Sequence, residues 1–125
     1  TAYRENVGLL AYSPLAFGVL SGKFLTGEKH PDARLNLFPN FTRYNSQQTK
    51  EATVLYQETA TRFGLTLTEM SLAFIRQQQF VTATIIGATN LKQLEENINS
   101  RQTVLSEEVL KAIDEIQSIR PNPAP

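Results

Sequence analysis

The sequence predicts an α/β fold built from parallel β/α units, and a part of such a fold rather than the whole. Two nearly continuous apolar runs, residues 7–12 (VGLLAY) and 81–86 (VTATII), read as strands covered on both faces, the pattern of parallel sheets with helices outside. Segments of helical periodicity follow each run, in the order strand, long loop, two helices, strand, short loop, two helices. Two apolar strands cannot satisfy both sheet edges, nor can four helices readily cover both faces. A fragment of a larger α/β barrel or sheet is therefore expected.

Each element has a local reason. The chain opens at Thr1 without an initiator Met and reaches its first strand almost at once, as the later portion of a longer chain would. That strand closes at Ser13-Pro14, where proline cannot donate a ladder hydrogen bond and restrains the residue before it. Residues 13–45 form a long connection punctuated by Gly18, Gly22, Gly27, Pro31 and Pro39, and a loop of that length is expected to be functional or partly disordered. Ala52, Leu55, Tyr56, Ala60 and Phe63 recur at helical spacing over about 46–63, with Gly64 as the stop. Thr68 reads as the N-cap of a second helix through about 79, in which Met70, Leu72, Ala73, Phe74 and Ile75 predict burial on more than one side. The β-branched run 81–86 ends at Gly87. Asn90 then caps a helix with Leu91, Leu94 and Ile98 on one face, and Ser106 caps another with Val109, Ile113 and Ile116. Residues 121–125 (PNPAP) cannot continue that last helix.

Composition narrows the function classes. A chain of 125 residues with 41% hydrophobic and 19% charged residues fits one soluble domain at most. Twelve Lys plus Arg balance twelve Asp plus Glu, which removes the electrostatic footprint of a general nucleic-acid or membrane-surface binder. With no cysteine and one histidine, thiolate catalysis, disulfides, cysteine-ligated metals and multi-histidine metal sites are excluded. No apolar run reaches the roughly 18 residues of a membrane span, and no targeting segment opens the chain, so a cytoplasmic location is expected. The sequon Asn40-Phe41-Thr42 is accordingly expected to be coincidental.

The chemical signal lies after the strands, because loops at strand C-termini face the ligand in parallel α/β folds. Residues 13–23 (SPLAFGVLSGK) offer flexible backbone amides and the cation of Lys23, a combination suited to a pyrophosphate. They do not form a Walker A loop, since Phe17 and Phe24 stand where that pattern needs Gly and Ser or Thr, and no GxGxxG is present. Residues 87–97 (GATNLKQLEEN) lead from a strand to a helix N-terminus, where free N–H groups favour phosphate and Thr89 adds a hydroxyl. Local composition alone favours plainer readings: a Gly-rich turn with a solvated lysine, and an Asn90–Gln93 capping pair beside solvated polar groups. His30 reads as a solvated loop histidine, with no acid or metal-ligand cluster around it in sequence.

Taken together, AYSPLAFGVLSGK at 11–23 and IIGATNLKQLEEN at 85–97 resemble the C-terminal part of the aldo-keto reductase family, in particular its Tas-like branch and the related potassium-channel β-subunits. The resemblance covers about residues 7–119. It implies the C-terminal part of a (β/α)8 TIM barrel, with residues 7–12 as the seventh strand and 81–86 as the eighth. It implies NADP(H) as cofactor, with Tyr12 stacked on the nicotinamide and Ser13, Pro14, Leu15, Ala16, Phe17 and Gly18 bordering the phosphate-binding turn. Lys23 would approach the pyrophosphate, and Arg34 would add a phosphate contact. Gly87 and Thr89 would lie near the adenosine 2′-phosphate with Gln93 assisting, while Glu96 and Asn97 would bind the adenine. Some branches carry arginine at the position of Gln93, which bears on the choice between NADP(H) and NAD(H).

The chemistry the resemblance implies is hydride transfer from reduced nicotinamide to an aldehyde or ketone, a small-molecule carbonyl substrate. Its Asp, Tyr, Lys and His catalytic set belongs to earlier strands, so no catalytic residue is assigned here; Tyr12, Tyr44, Tyr56 and His30 lack the required context. The missing N-terminal barrel portion, or other chains, is expected to be needed for stability. Two further readings stay open: a non-catalytic nucleotide-binding or interaction protein on the same scaffold, and a helical interaction fragment without nucleotide affinity.

Overall fold

The apolar runs pair as their composition requires. In the computed structural model, which describes residues 1–125, β1 (Leu9–Ala11) and β2 (Val81–Thr84) lie side by side and parallel, with Leu9 opposite Val81 and Ala11 opposite Thr84. Both strands are shorter than the apolar runs. An irregularity between Leu9 and Leu10 interrupts the ladder, and beyond Thr84 the backbone leaves it after one further bond, from Ile85 N–H to the Ala11 carbonyl at 2.7 Å.

The helices are α1 (Arg34–Leu37), α2 (Gln47–Arg62), α3 (Leu67–Arg76), α4 (Leu91–Asn99) and α5 (Glu107–Ile119). Ser46, Asn90 and Ser106 cap α2, α4 and α5 by accepting from the third helical N–H. At its other end α2 stops on Gly64, whose φ of +70° is cheap only without a Cβ. The Gly64 and Leu65 N–H groups return to the Thr61 and Ala60 carbonyls, a complete Schellman closure.

One cap differs from the sequence reading. The N-cap of α3 is Thr66, not Thr68: Thr66 Oγ1 accepts from Glu69 N–H at 3.1 Å, and Glu69 Oε2 accepts from Thr66 N–H at 2.8 Å. This reciprocal box satisfies two donors, which Thr68 could not do because no Glu or Gln lies three residues after it. Thr68 is instead buried on the first turn. We expect Thr66→Ala to cost about 0.5–2 kcal/mol in chemical denaturation of the complete protein; an unchanged midpoint would contradict the cap. The same helix ends at Arg76, short of residue 79, and its last side chains bond the segment that leads into α5. Arg76 donates to the Ser100 and Thr103 carbonyls, and Gln77 bonds both backbone groups of Leu105.

The core lies between α2, α3 and α5, beside the sheet. Ala60, Leu67, Met70, Ala73, Leu105, Val109 and Ile113 form it, with Leu20, Tyr56, Phe63 and Phe74 packed at its edge. The strands are not enclosed as their composition predicts: Leu9 and Leu10, which point to opposite faces, are 41% and 59% exposed. The apolar face of α4 is also uncovered, with Leu91, Leu94 and Ile98 all exposed. Residues 13–45, expected to be functional or partly disordered, contain short turns over Ala16–Ser21, kinked where Phe17 and Gly18 leave helical backbone, a 3-10 turn at Lys23–Leu25 and the single turn of α1. No helix is long and apolar enough to cross a membrane.

Candidate functional site

Parallel pairing sends residues 12–23 and 87–97 out of the same end of the two-stranded sheet, so sequence segments more than sixty positions apart become neighbours. Tyr12, at the end of β1, is 72% exposed, and Pro14 is buried beneath the turn. The turn itself is left-handed at Ser13, Ala16, Phe17 and Gly18, with φ of +54°, +47°, +56° and +87°. Three of these four carry a Cβ, and the left-handed region costs such residues roughly 1–2 kcal/mol each. Strain held by surrounding structure is a feature of ligand clamps.

Gly18 is needed for a second reason. A Cβ built there would stand 2.8 Å from Lys23 Cε and 3.0 Å from Nζ, so the lysine is folded back over the turn rather than extended into solvent. Ser21 Oγ closes the turn by donating to the Gly18 carbonyl at 2.7 Å. Arg34 approaches from α1, its guanidinium 5.3 Å from the Phe17 ring centroid. Neither Lys23 nor Arg34 has a carboxylate partner. The amides of Tyr12, Ser13 and Leu15 donate to no protein acceptor, which leaves N–H groups as well as two cations around one turn.

The second segment is more occupied. Asn90 Oδ1 accepts from Gln93 N–H, and Gln93 Oε1 accepts from both the amide and the hydroxyl of Thr89, each at 3.0 Å. The reciprocal half of the expected Asn90–Gln93 pair is thus shifted by one residue onto Thr89. Gln93 Nε2 keeps its donors free. Asn97, 6% exposed, donates to the Gly87 carbonyl at 3.2 Å and ties α4 to the end of the second apolar run. Glu96 accepts from Thr66 Oγ1 at 3.4 Å. Both residues have neighbours in the fold, and both stand on the α4 side that carries Gln93.

His30 is not simply solvated. Its Nε2 pairs with the Lys23 carbonyl at 3.1 Å and its ring meets Phe24 edge-on, so it braces the loop that carries the lysine. Tyr56 is a poor proton donor here: burial, and then the charge of Asp114, raise its phenol above the ordinary tyrosine range. No group of three or more His, Cys, Asp or Glu side chains is gathered to hold a metal.

The sequence assigns Phe41 and Tyr44 no part in the site. Phe17, Phe41 and Tyr44 cluster with ring centroids 4.4–5.7 Å apart, beside a cavity of about 490 Å³ that Phe17, Arg34 and Phe41 help to line. Two aromatic residues close together in Phe41-Thr42-Arg43-Tyr44 are the available signal, but a loop has no periodicity to show which rings meet.

The profile of the Aldo/keto reductase family matches residues 1–118. Protein Tas of Escherichia coli (strain K12) is 48% identical over 121 residues, 97% of this chain and 35% of that protein. A putative voltage-gated potassium channel subunit beta of Schizosaccharomyces pombe is 32% identical over 123 residues, covering 91% and 35% respectively. Among solved structures, a glycerol dehydrogenase from Gluconobacter oxydans superposes with a TM-score of 0.72 at 26% identity, over 99% of this chain and 38% of that one. The chain spans about a third of the length of the curated relatives it matches. The chain belongs to the aldo/keto reductase family.

Proposed function

We propose that this chain is the dinucleotide-binding part of an NADP(H)-dependent oxidoreductase that reduces aldehydes or ketones, and that it is not catalytic alone. In this reading β1 and β2 are the seventh and eighth strands of a (β/α)8 barrel. Preceding strands, or other chains, cover the exposed faces of Leu9 and Leu10. The protein works in the cytoplasm.

The observation that carries the proposal is the convergence of Lys23 and Arg34, without carboxylate partners, on a strained turn in which the Ser13 and Leu15 amides have no protein acceptor. Such a cradle neutralises a pyrophosphate by charge and by backbone donors at once. Tyr12, exposed at the end of β1, offers a flat face to the nicotinamide. Gln93 Nε2 offers a neutral donor to the adenosine 2′-phosphate, with Gly87 and Thr89 beside it, and Glu96 and Asn97 bind the adenine. When bound, reduced nicotinamide supplies the hydride for the carbonyl carbon. The chain's own residues bind and orient the dinucleotide; the proton for the carbonyl oxygen comes from a donor elsewhere in the complete protein.

Fluorescence titration of the complete protein with NADPH tests this reading. Lys23→Met is expected to weaken NADPH by about tenfold, the loss of one charge-assisted contact. Unchanged affinity would remove the cradle. The 125-residue chain alone is expected to show no carbonyl-dependent NADPH oxidation; turnover proportional to its concentration would overturn the division of labour. The likeness to a channel β-subunit favours a second reading, nucleotide binding without turnover, and carbonyl-dependent oxidation by the complete protein would exclude it.

A further inference from the structure

Phe17 occupies an unusual place. Its φ of +56° follows +47° at Ala16, and relief by glycine comes only at Gly18. Left-handed backbone at two successive residues with side chains persists where packing holds it. The Phe17 ring is held by Phe41, stacked on it at 4.4 Å with 20° between the planes, and by Tyr44 at 5.7 Å.

Arg34 depends on the same ring. It sits on a helix of four residues, has no acidic partner, and its guanidinium lies against Phe17. A long side chain so placed is ordered by what it packs on. The arm bearing Phe41 and Tyr44 is itself anchored. Arg43 packs over Tyr44 and its Nε donates to the Ala124 carbonyl at 3.2 Å, while the Ser46 and Thr49 hydroxyls donate to the Pro123 carbonyl at 3.2 and 2.7 Å.

We propose that Phe41 is a positioning residue, which acts through the Phe17 ring to hold the Arg34 guanidinium beside the phosphate turn. The inference rests on the dinucleotide reading and deepens it. Phe41 need not touch the dinucleotide; its contribution to affinity passes through Arg34. Removing the flat ring while keeping apolar volume frees Phe17 to turn, and Arg34 loses the surface that orders it. Residues in contact through a shared partner are non-additive, whereas residues that merely stabilise the fold act independently of Arg34.

The test is a double-mutant cycle in the complete protein, read as the NADPH dissociation constant by fluorescence titration. Phe41→Leu is expected to weaken NADPH about three- to tenfold, and Phe41→Tyr, which keeps the stacking face, to restore most of the affinity. In an Arg34→Gln background the same Phe41→Leu change should lose most of its effect. Phe41→Met serves in the same cycle if the leucine variant does not fold. A Phe41 effect of equal size in both backgrounds overturns the inference while leaving the dinucleotide reading intact. An Arg34→Gln variant with unchanged NADPH affinity overturns the phosphate contact, and the positioning role with it.

Discussion

Leu67→Ala lowers the stability of the complete protein by about 2–5 kcal/mol, the range for a leucine truncated in a core that cannot fully collapse. Leu67 is 2% exposed and belongs to the cluster in which α3 meets Ala60 of α2 and Val109 and Ile113 of α5. It is also the first residue of α3, directly after the Thr66 cap, so the surrounding backbone is hydrogen-bonded and has little freedom to close the space. Denaturant unfolding of wild type and variant measures the change. A loss below about 1 kcal/mol would mean that this layer of side chains is not the core.

On the proposed placement of Gln93 at the 2′-phosphate, Gln93→Arg is expected to shift the preference toward NADP(H) over NAD(H) by about tenfold or more, because a guanidinium adds charge and a two-pronged donor there. The substitution gives up the acceptor that now holds the Thr89 amide and hydroxyl, so part of the gain is offset by a looser segment before α4. Gln93→Ala has a smaller effect, weakening NADP(H) while leaving NAD(H) nearly unchanged. If Gln93 only closes the start of the helix, both changes alter helix stability by about 1 kcal/mol and move the two dinucleotides together. Dissociation constants for NADPH and NADH at fixed salt separate these outcomes, and equal shifts would remove Gln93 from the phosphate site.

The helices were legible because each carries its own instructions. Asn90 and Ser106 cap where the sequence places them, Gly64 stops α2, and Val109, Ile113 and Ile116 point into the core. Thr66 shows what hydrophobic periodicity alone misses: the Thr-x-x-Glu box at 66–69 sets the cap two residues before the threonine nearest the apolar run. The apolar run 81–86 extends past the ladder, because Ile85 and Ile86 have strand-like side chains but lack a continuing parallel partner. Periodicity on α4 correctly gathers Leu91, Leu94 and Ile98 on one face, yet says nothing of whether that face is covered.

The site divides in the same way. Residue types at 13–23 and 87–97 suit phosphate but locally fit a plain turn and a helix cap better, and the resemblance to a family is what singles them out; parallel strands explain why the two segments emerge together. The fold of the loop did not follow from its residue types. Lys23 returning over Gly18, His30 bracing the Lys23 carbonyl, and Phe41 stacking on Phe17 are contacts across 5, 7 and 24 positions that no repeat encodes. Left-handed φ at Ala16 and Phe17 is equally invisible, because neither is a residue type that favours it.

A crystal structure of the complete protein with NADP(H) bound tests the central proposal most directly. The expected result is Lys23 Nζ about 2.7–2.9 Å from a pyrophosphate oxygen, with the Ser13 or Leu15 amide donating to the same group and Gln93 Nε2 directed at the 2′-phosphate. A dinucleotide seated elsewhere, with no contact to residues 12–23 or 87–97, would contradict it.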